Sequence, residues 1–427
     1  METTQTSTVA SIESRSGWRK TDTMWMLGLY GTAIGAGVLF LPINAGVGGL
    51  IPLIIMAIIA FPMTYFAHRG LTRFVLSGKN PGEDITEVVE EHFGVGAGKL
   101  ITLLYFFAIY PILLVYSVAI TNTVESFMLH QLHMTPPPRA ILSLILIVGM
   151  MTIVRFGEQM IVKAMSILVF PFVAALMVLA CYLIPQWNGA ALETLSLSSA
   201  SATGNGLLMT LWLAIPVMVF SFSHAPIISS FSAAQKKRCQ ASADQRAKRI
   251  IKCSSLLICG SVLFFVVSCV MSLSQAEMAL ARTDNISVLS ALANKFSNPL
   301  IAYVGPLIAI LAMSKSFLGT SMGVSEGTVS MVNGACQGLG LSLREATIAR
   351  VSSVILFVVT GVITYLNPNV LEIIEKVSGP LIAVILFLLP ACSIYRLPAL
   401  KRYRGASTLF VLVIGLLAIS ALIYDLL

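Results

Sequence analysis

Charge is what this chain has least of. Of its 427 residues only 11% are Asp, Glu, Lys or Arg, against 57% hydrophobic, and the mean hydropathy is +0.89. An average soluble domain carries roughly 25% charged residues. A chain so poor in charge cannot coat a surface that faces water, which excludes the ordinary cytosolic, secreted, disordered and fibrous classes. Cysteine is sparse as well: Cys181, Cys239, Cys253, Cys259, Cys269, Cys336 and Cys392 form no C-x-x-C and mostly lie in apolar runs. They read as small core residues, not as a disulfide framework or a metal site. No short apolar core with a cleavage site precedes the first long apolar run. Residues 1–23, with Glu13 and Asp22, read as a cytoplasmic tail and not as a signal peptide. The sequence also lacks G-x-x-x-x-G-K-[ST] and H-E-x-x-H, which removes the usual signatures of ATP-driven transport and of zinc proteolysis.

What the chain has in abundance is long apolar runs. A helix needs about 20 mostly apolar residues to cross the hydrocarbon of a bilayer. Eleven runs qualify, at about 24–43, 48–68, 99–128, 139–154, 160–184, 207–232, 253–273, 300–323, 347–366, 369–395 and 406–424. Barrel strands would be shorter and would alternate in polarity. The expected fold class is therefore an all-α polytopic membrane protein with 11 transmembrane helices and no soluble domain, residues 24–427 forming one unit. With the N-terminus inside, 22 Lys and Arg fall in inner segments and three (Arg139, Arg282, Lys295) in outer ones. Arg15, Arg155, Lys163 and the run from Lys236 to Lys252 belong to the inner set. That asymmetry is the positive-inside rule, and it puts the C-terminus outside. The outer stretch Pro185–Gly206 has no Lys or Arg, and the acidic inner stretch Lys79–Gly98 is a candidate short helix. The sequon Asn285-Ile-Ser287 falls on the outer side and reads as a chance match.

Lipid offers no hydrogen bonds, so a spanning helix is interrupted only where its backbone is buried or lines a cavity. Two spans carry breakers. In the first, Gly31, Gly35 and Gly37 fall within seven residues; in the sixth, Ser221-Phe222-Ser223-His224-Ala225-Pro226 sets a polar cluster and a helix-breaking proline in mid-span. Each alone is also compatible with close helix packing or a simple kink. Together they occupy the first helix of each half, if residues 24–184 and 207–395 form a 5+5 inverted repeat with 406–424 as one extra helix. Interrupted segments in matching places of two halves point to the binding site of a secondary transporter. Free N–H groups after a break suit a carboxylate, and free carbonyls before it suit an ammonium. The expected substrate contacts are Thr32, Gly35, Ala36, Gly37, Tyr116, Ser221, Phe222, Ser223 and His224, with Ser229 and Ser230 as further hydroxyls.

Ionisable residues within a span are costly and are functional candidates by default. Two readings of Lys315 stand side by side: a lysine reaching the inner interface, or a fixed or titrating cation in the site. His224 is either a structural histidine or a substrate and proton contact. Glu125, Glu372 and Glu375 read as outer-interface groups or as gates, and Tyr110 or Tyr116 as packing or as a lid over the substrate. Gly323-Val324-Ser325-Glu326-Gly327 matches G-x-S-x-G but ends a transmembrane run, where a nucleophile elbow needs a strand before it. A polytopic enzyme and a channel are the rival classes, and neither has a clustered catalytic set or filter signature in its support.

TAIGAGVLFLP (Thr32–Pro42), NPGEDITEVVEEHFG (Asn80–Gly94), YSVAITNT (Tyr116–Thr123), VFSFSHAPIISSF (Val219–Phe231) and KSFLG (Lys315–Gly319) resemble the hydroxy and aromatic amino acid permeases over essentially the whole chain. The resemblance implies a bacterial inner-membrane symporter of the amino acid/polyamine superfamily, in which a proton drives uptake of L-serine or a similar small hydroxy amino acid. It places Lys315 where related transporters hold a coupling cation, makes His224 and Lys315 the proton-coupling candidates, and implies no other cofactor. The chain departs from the pattern at Ser223, Ala225 and Thr320, where the family tends to carry Asn, Ser and His.

Overall fold

The computed structural model describes residues 17–154, 158–189, 191–192, 204–239, 242–338 and 344–426. Glu13, Arg15, Arg155, the side chain of Lys163 and most of the outer loop 193–203 lie outside the described residues. Among them the chain is helical, without strands.

The first span is α1 (Lys20–Ala33) followed by α2 (Ala36–Gly48), bent by 56° at the break. Ile34 and Gly35 adopt extended backbone there. The next spans are α3 (Leu50–Leu76), α5 (Val95–His130), α6 (Arg139–Val154) and α7 (Glu158–Leu183), with the short α4 (Ile85–Phe93) before α5. Asp84 and Glu87 close a capping box on α4, which is why the acidic stretch is helical. The sixth span is α8 (Leu207–Ser221), three non-helical residues Phe222–His224, a 3-10 turn Ala225–Ile227, and α9 (Ile228–Cys239). Then come α10 (Ala243–Ser272), the short α11 (Gln275–Thr283) and α12 (Val288–Lys295), and α13 (Gly305–Gly338). The chain ends with α14 (Glu345–Leu366), α15 (Val370–Arg396) and α16 (Ala406–Leu426). Two π-helical turns, Ile374–Ser378 and Val384–Leu388, lie inside α15.

Eight of these helices are long and apolar enough to span a membrane, the bent pair makes a ninth, and two shorter apolar helices fall at the fourth and fifth expected positions. Each expected run thus has its helix, and the protein is a multi-pass membrane protein. The ends differ. α3 runs on to Leu76, α10 begins at Ala243 and α13 reaches Gly338, because hydrogen bonding continues past the hydrocarbon while the apolar run stops at its edge. The short helices α11 and α12 are additions. Their signals are Ser caps, with Ser274 and Glu277 forming a complete capping box.

Ion pairs tie the bundle at its two ends. At the end where α1 begins, Arg246 meets Asp22 at 2.5 Å and Arg73 meets Asp244 at 3.0 Å. At the opposite end, Arg139 meets Glu125 and Arg282 meets Glu375, each at 2.7 Å. Trp212 of α8 packs edge-on against Tyr424 of α16 at 5.1 Å, so α16 closes beside the start of α8. Between the two ends, α2 packs on α8, α1 on α10, and α13 on α5, which surrounds the breaks with helices on every side.

Candidate functional site

The two breaks touch. Ser221 Oγ, the last residue of α8, donates to the Gly37 carbonyl at 3.0 Å in a fully buried contact. A β-carbon on Gly37 would stand 2.7 Å from the Ser221 Cα, nearer than side chains approach backbone. The glycine is there for space, since its backbone is ordinary helix. Gly35 has the same role toward a third element: its β-carbon would meet the Tyr116 hydroxyl at 2.9 Å and Ser316 Oγ at 3.1 Å. Tyr116 is buried on α5, and its hydroxyl is within hydrogen-bonding reach of Ser316 and of the Ala36 backbone. It lies against the first residue of α2, at the positive end of that half-helix.

Lys315 comes in from α13. It is 5% exposed, and its ammonium donates to the Gly31 carbonyl at 2.8 Å. In an unbroken helix that carbonyl would accept from residue 35. Gly35 is turned into extended backbone, so a lysine 284 residues away supplies the missing donor. A cation at the C-terminal end of α1 also meets the negative end of its dipole. The interface-reaching reading of Lys315 is thereby excluded: its ammonium points into the break.

His224 is fully buried and starts the second half of the sixth span. Its ring stacks on His68 of α3, centroids 3.4 Å apart and planes within 5°. Its backbone N–H donates to His68 Nε2 at 3.0 Å, and His68 Nδ1 pairs with the Thr64 carbonyl at 2.7 Å.

The structure therefore brings Gly35, Ala36, Gly37, Tyr116, Ser221, Lys315 and, on the far side of the second break, His224 into one region. Phe222 is buried beside Ser221, and Ser223 is half-buried with its hydroxyl accepting from Ala225 N–H. Three expected hydroxyls are elsewhere. Thr32 is exposed and donates back to Gly28 within its own helix. Ser229 accepts from the Ile85 backbone of α4, and Ser230 is on the surface. A helix advances 100° per residue, so neighbours of a site residue need not share its face. Tyr110 stacks on Phe106 at 5.6 Å, leaving Tyr116 as the tyrosine at the break. Glu125 and Glu375 are in ion pairs at the end opposite the start of α1, and Glu372 is exposed on the first turn of α15.

Cavities lie at the two ends. One of about 340 Å³, lined by Arg19, Asp22, Arg238 and Arg246, opens where α1 begins; a small one of about 40 Å³ sits beside Asn44, Arg282 and Glu375. The space next to Gly35 is filled by Tyr116 and Ser316.

The tryptophan/tyrosine permease family model matches residues 25–424. The chain belongs to that family. This permease is 69% identical over 427 residues to the serine transporter SdaC of Escherichia coli, with both chains covered completely. It is 43% identical to the threonine/serine transporter TdcC of Escherichia fergusonii, covering 97% of this chain and 98% of the other. Its fold is similar to that of MhsT, solved in complex with L-phenylalanine (16% identity, TM-score 0.58, covering 96% of this chain and 98% of that one). It is also similar to a mutant of the Eremococcus coleocola manganese transporter (13% identity, TM-score 0.63, covering 98% and 90%). At such identities the likeness speaks for the fold alone, that of a polytopic inverted-repeat membrane protein. The permease is accordingly a transport protein and not an enzyme. Gly323–Gly327 agrees with this. It lies inside α13, with no strand or sharp turn to expose a nucleophile.

Sequence reasoning missed three residues that pack around the two breaks. His68 lies in the C-terminal half of α3 beside Arg69, and only the contact across 156 residues reveals it. Ser316 was masked by its neighbour Lys315. Thr64, four residues before His68, was the one local signal, since i and i+4 share a helix face.

Proposed function

We propose that this permease is a proton-coupled symporter that takes up L-serine or a similar small hydroxy amino acid by alternating access. The observation that carries the reading is the Lys315 ammonium seated on the Gly31 carbonyl at the broken end of α1. A cation is thus built into the place where the first span comes apart. The break in α8–α9 faces it through Ser221 and Gly37. A zwitterion suits such a site: its carboxylate is received at the start of α2, where the Tyr116 hydroxyl now lies against Ala36, and its ammonium by carbonyls at the break. Small residues on both sides let the ligand reach the backbone. Tyr116 must swing aside for it and is the natural lid. Serine as substrate is supported by the names of the relatives, a serine transporter at 69% identity and a threonine/serine transporter at 43%. The same relatives support a bacterial inner-membrane location. The charge asymmetry supports a cytoplasmic N-terminus and a C-terminus on the periplasmic side.

Proton coupling can supply the energy. One positive charge crossing 100 mV yields about 2.3 kcal/mol, and at about 1.36 kcal/mol per tenfold that sustains accumulation of roughly 50-fold. The test is uptake of labelled serine into proteoliposomes under an imposed inward proton gradient, with a competition panel of amino acids. Saturable, gradient-dependent accumulation is expected, with serine or threonine the best competitor. A channel would not exceed equilibrium, and an enzyme would accumulate nothing.

A further inference from the structure

We infer that His68 and His224 form a single-proton unit, and that the bond from the His224 backbone N–H to His68 Nε2 is the latch that proton loading releases. The inference rests on the proton-coupled reading above and names the residues that do the coupling.

The hydrogen bonds fix the protonation of His68. Its Nε2 accepts from the His224 N–H at 3.0 Å, so that nitrogen carries a lone pair and no proton. Its Nδ1 must then hold the ring proton and donate it to the Thr64 carbonyl at 2.7 Å. His68 is therefore neutral in this conformation, with both nitrogens in use. His224 is the reverse. It is fully buried and neither ring nitrogen makes a hydrogen bond. An imidazolium has two N–H donors to satisfy, so His224 too is neutral as it stands. Two rings 3.4 Å apart in a buried site cannot both be cations. The pair has room for one.

Among the described residues neither ring makes a hydrogen bond or ion pair with a carboxylate or a lysine. Thr64 of α3 meets the His68 ring through its carbonyl, and the Cys259 thiol of α10 lies 3.8 Å from the Thr64 hydroxyl.

The mechanical consequence follows from which atom is occupied. A proton arriving at His68 takes the Nε2 lone pair. The His224 N–H then loses its acceptor in a dry site, and a buried donor without a partner is costly. Phe222–His224 is the non-helical stretch of the sixth span, so it is the part of that span free to move. Loading therefore unpins His224, which leads through the 3-10 turn into α9 and lies three residues beyond Ser221, the residue that joins the two breaks by its bond to Gly37. Unloading lets the latch close again. His224 keeps a second proton out by stacking and holds the latch by its backbone, so its side chain and its main chain act differently.

The discriminating variant is His68→Gln. A glutamine side-chain oxygen can accept from the His224 N–H, but it cannot be protonated in the working range. In proteoliposomes, H68Q is expected to keep serine exchange between equal internal and external pools. It is expected to lose accumulation above equilibrium under the proton gradient, and the pH dependence of uptake should flatten. Gradient-driven accumulation equal to the parent's overturns the inference and leaves proton coupling itself intact. A parent protein that shows no gradient-driven accumulation instead overturns the proton-coupled reading. The pair is tested separately by histidine ¹⁵N NMR of the parent protein in nanodiscs. The Nδ1–H tautomer at His68 and uptake of one proton by the two rings together are expected. The Nε2–H tautomer, or two rings titrating independently, overturns it.

Discussion

Lys315 is held where it is by one acceptor, the carbonyl that the break at Gly35 leaves free. Replacing it with Met keeps the volume and removes the donor. A buried carbonyl left unpaired costs about 1–3 kcal/mol, so Lys315→Met should lower the thermal midpoint in detergent and reduce gradient-driven accumulation of serine to equilibrium. Unchanged accumulation would remove Lys315 from coupling. The glycines make a sharper pair. Gly37→Ala forces a β-carbon against the Ser221 Cα, which is main chain and cannot swing away. Gly260→Ala, with nothing within 4 Å, is its control. Serine binding by calorimetry should be abolished in the first and unchanged in the second. Gly35 and Gly37 were legible in the sequence because three glycines in seven residues are hard to place in a helix interior. His68 was not, because nothing in residues 60–72 says that a histidine from the sixth span stacks on it.

At the scale of elements, the loops at the end opposite the start of α1 are organised by asparagine. Asn285 donates to the Asn367 side chain and the Pro368 carbonyl, each at 2.9 Å, and accepts from the Val370 N–H at 2.8 Å. Asn122 joins the same knot through the Asn285 carbonyl and Asn367, and Arg139 closes it by donating to Asn122 and Glu125. Asn285 and Asn367 both have positive φ, near +57° and +53°, which asparagine tolerates better than other side chains. The sequon at Asn285 is thus a structural corner whose amide is fully used. Asn285→Ala removes three bonds at once, one buried and two partly buried. At about 1 kcal/mol each it should cost roughly 3 kcal/mol, read as a drop in the thermal midpoint with the substrate affinity of the folded fraction preserved. Nearby, burial pushes the Glu277 carboxyl up, but its bonds to Lys295 and Ser274 outweigh that and hold it below the usual range. A carboxyl lowered by folding stabilises above its unfolded value, and the benefit goes as pH falls through its folded value. Hydrogen exchange in α11 should therefore speed up only in strong acid, and Glu277→Gln should remove that dependence. The long helices were legible from run length alone. α11 and α12 were not, because a short helix over an outer mouth needs no apolar run, only its caps.

The whole molecule is fastened at both ends. At one, the buried Asp22 carboxylate holds Arg246 across α1 and α10. At the other, Glu375 of α15 holds Arg282 and also accepts from Asn44 of α2. α1 and α2 are the two halves of the broken first span, so each half is tied to its own mouth, and opening one mouth requires one tie to part. Asp22→Asn leaves the pair without its charge and should favour the state open at the Asp22 end. Cys239 reports on that, since it lines the cavity there with Asp22 and Arg246. With the other six cysteines replaced, Asp22→Asn should raise its alkylation rate. If the tie contributes about 1–3 kcal/mol, that is some 5- to 150-fold. Glu375→Gln loosens the opposite mouth. In a protein whose two mouths open in alternation, a population drawn toward one open state is taken from the other. Alkylation of Cys239 should then slow in Glu375→Gln, although the residue changed is at the far end of the bundle. Equal acceleration in both variants would mean general loosening, and the ties would be struts instead of gates.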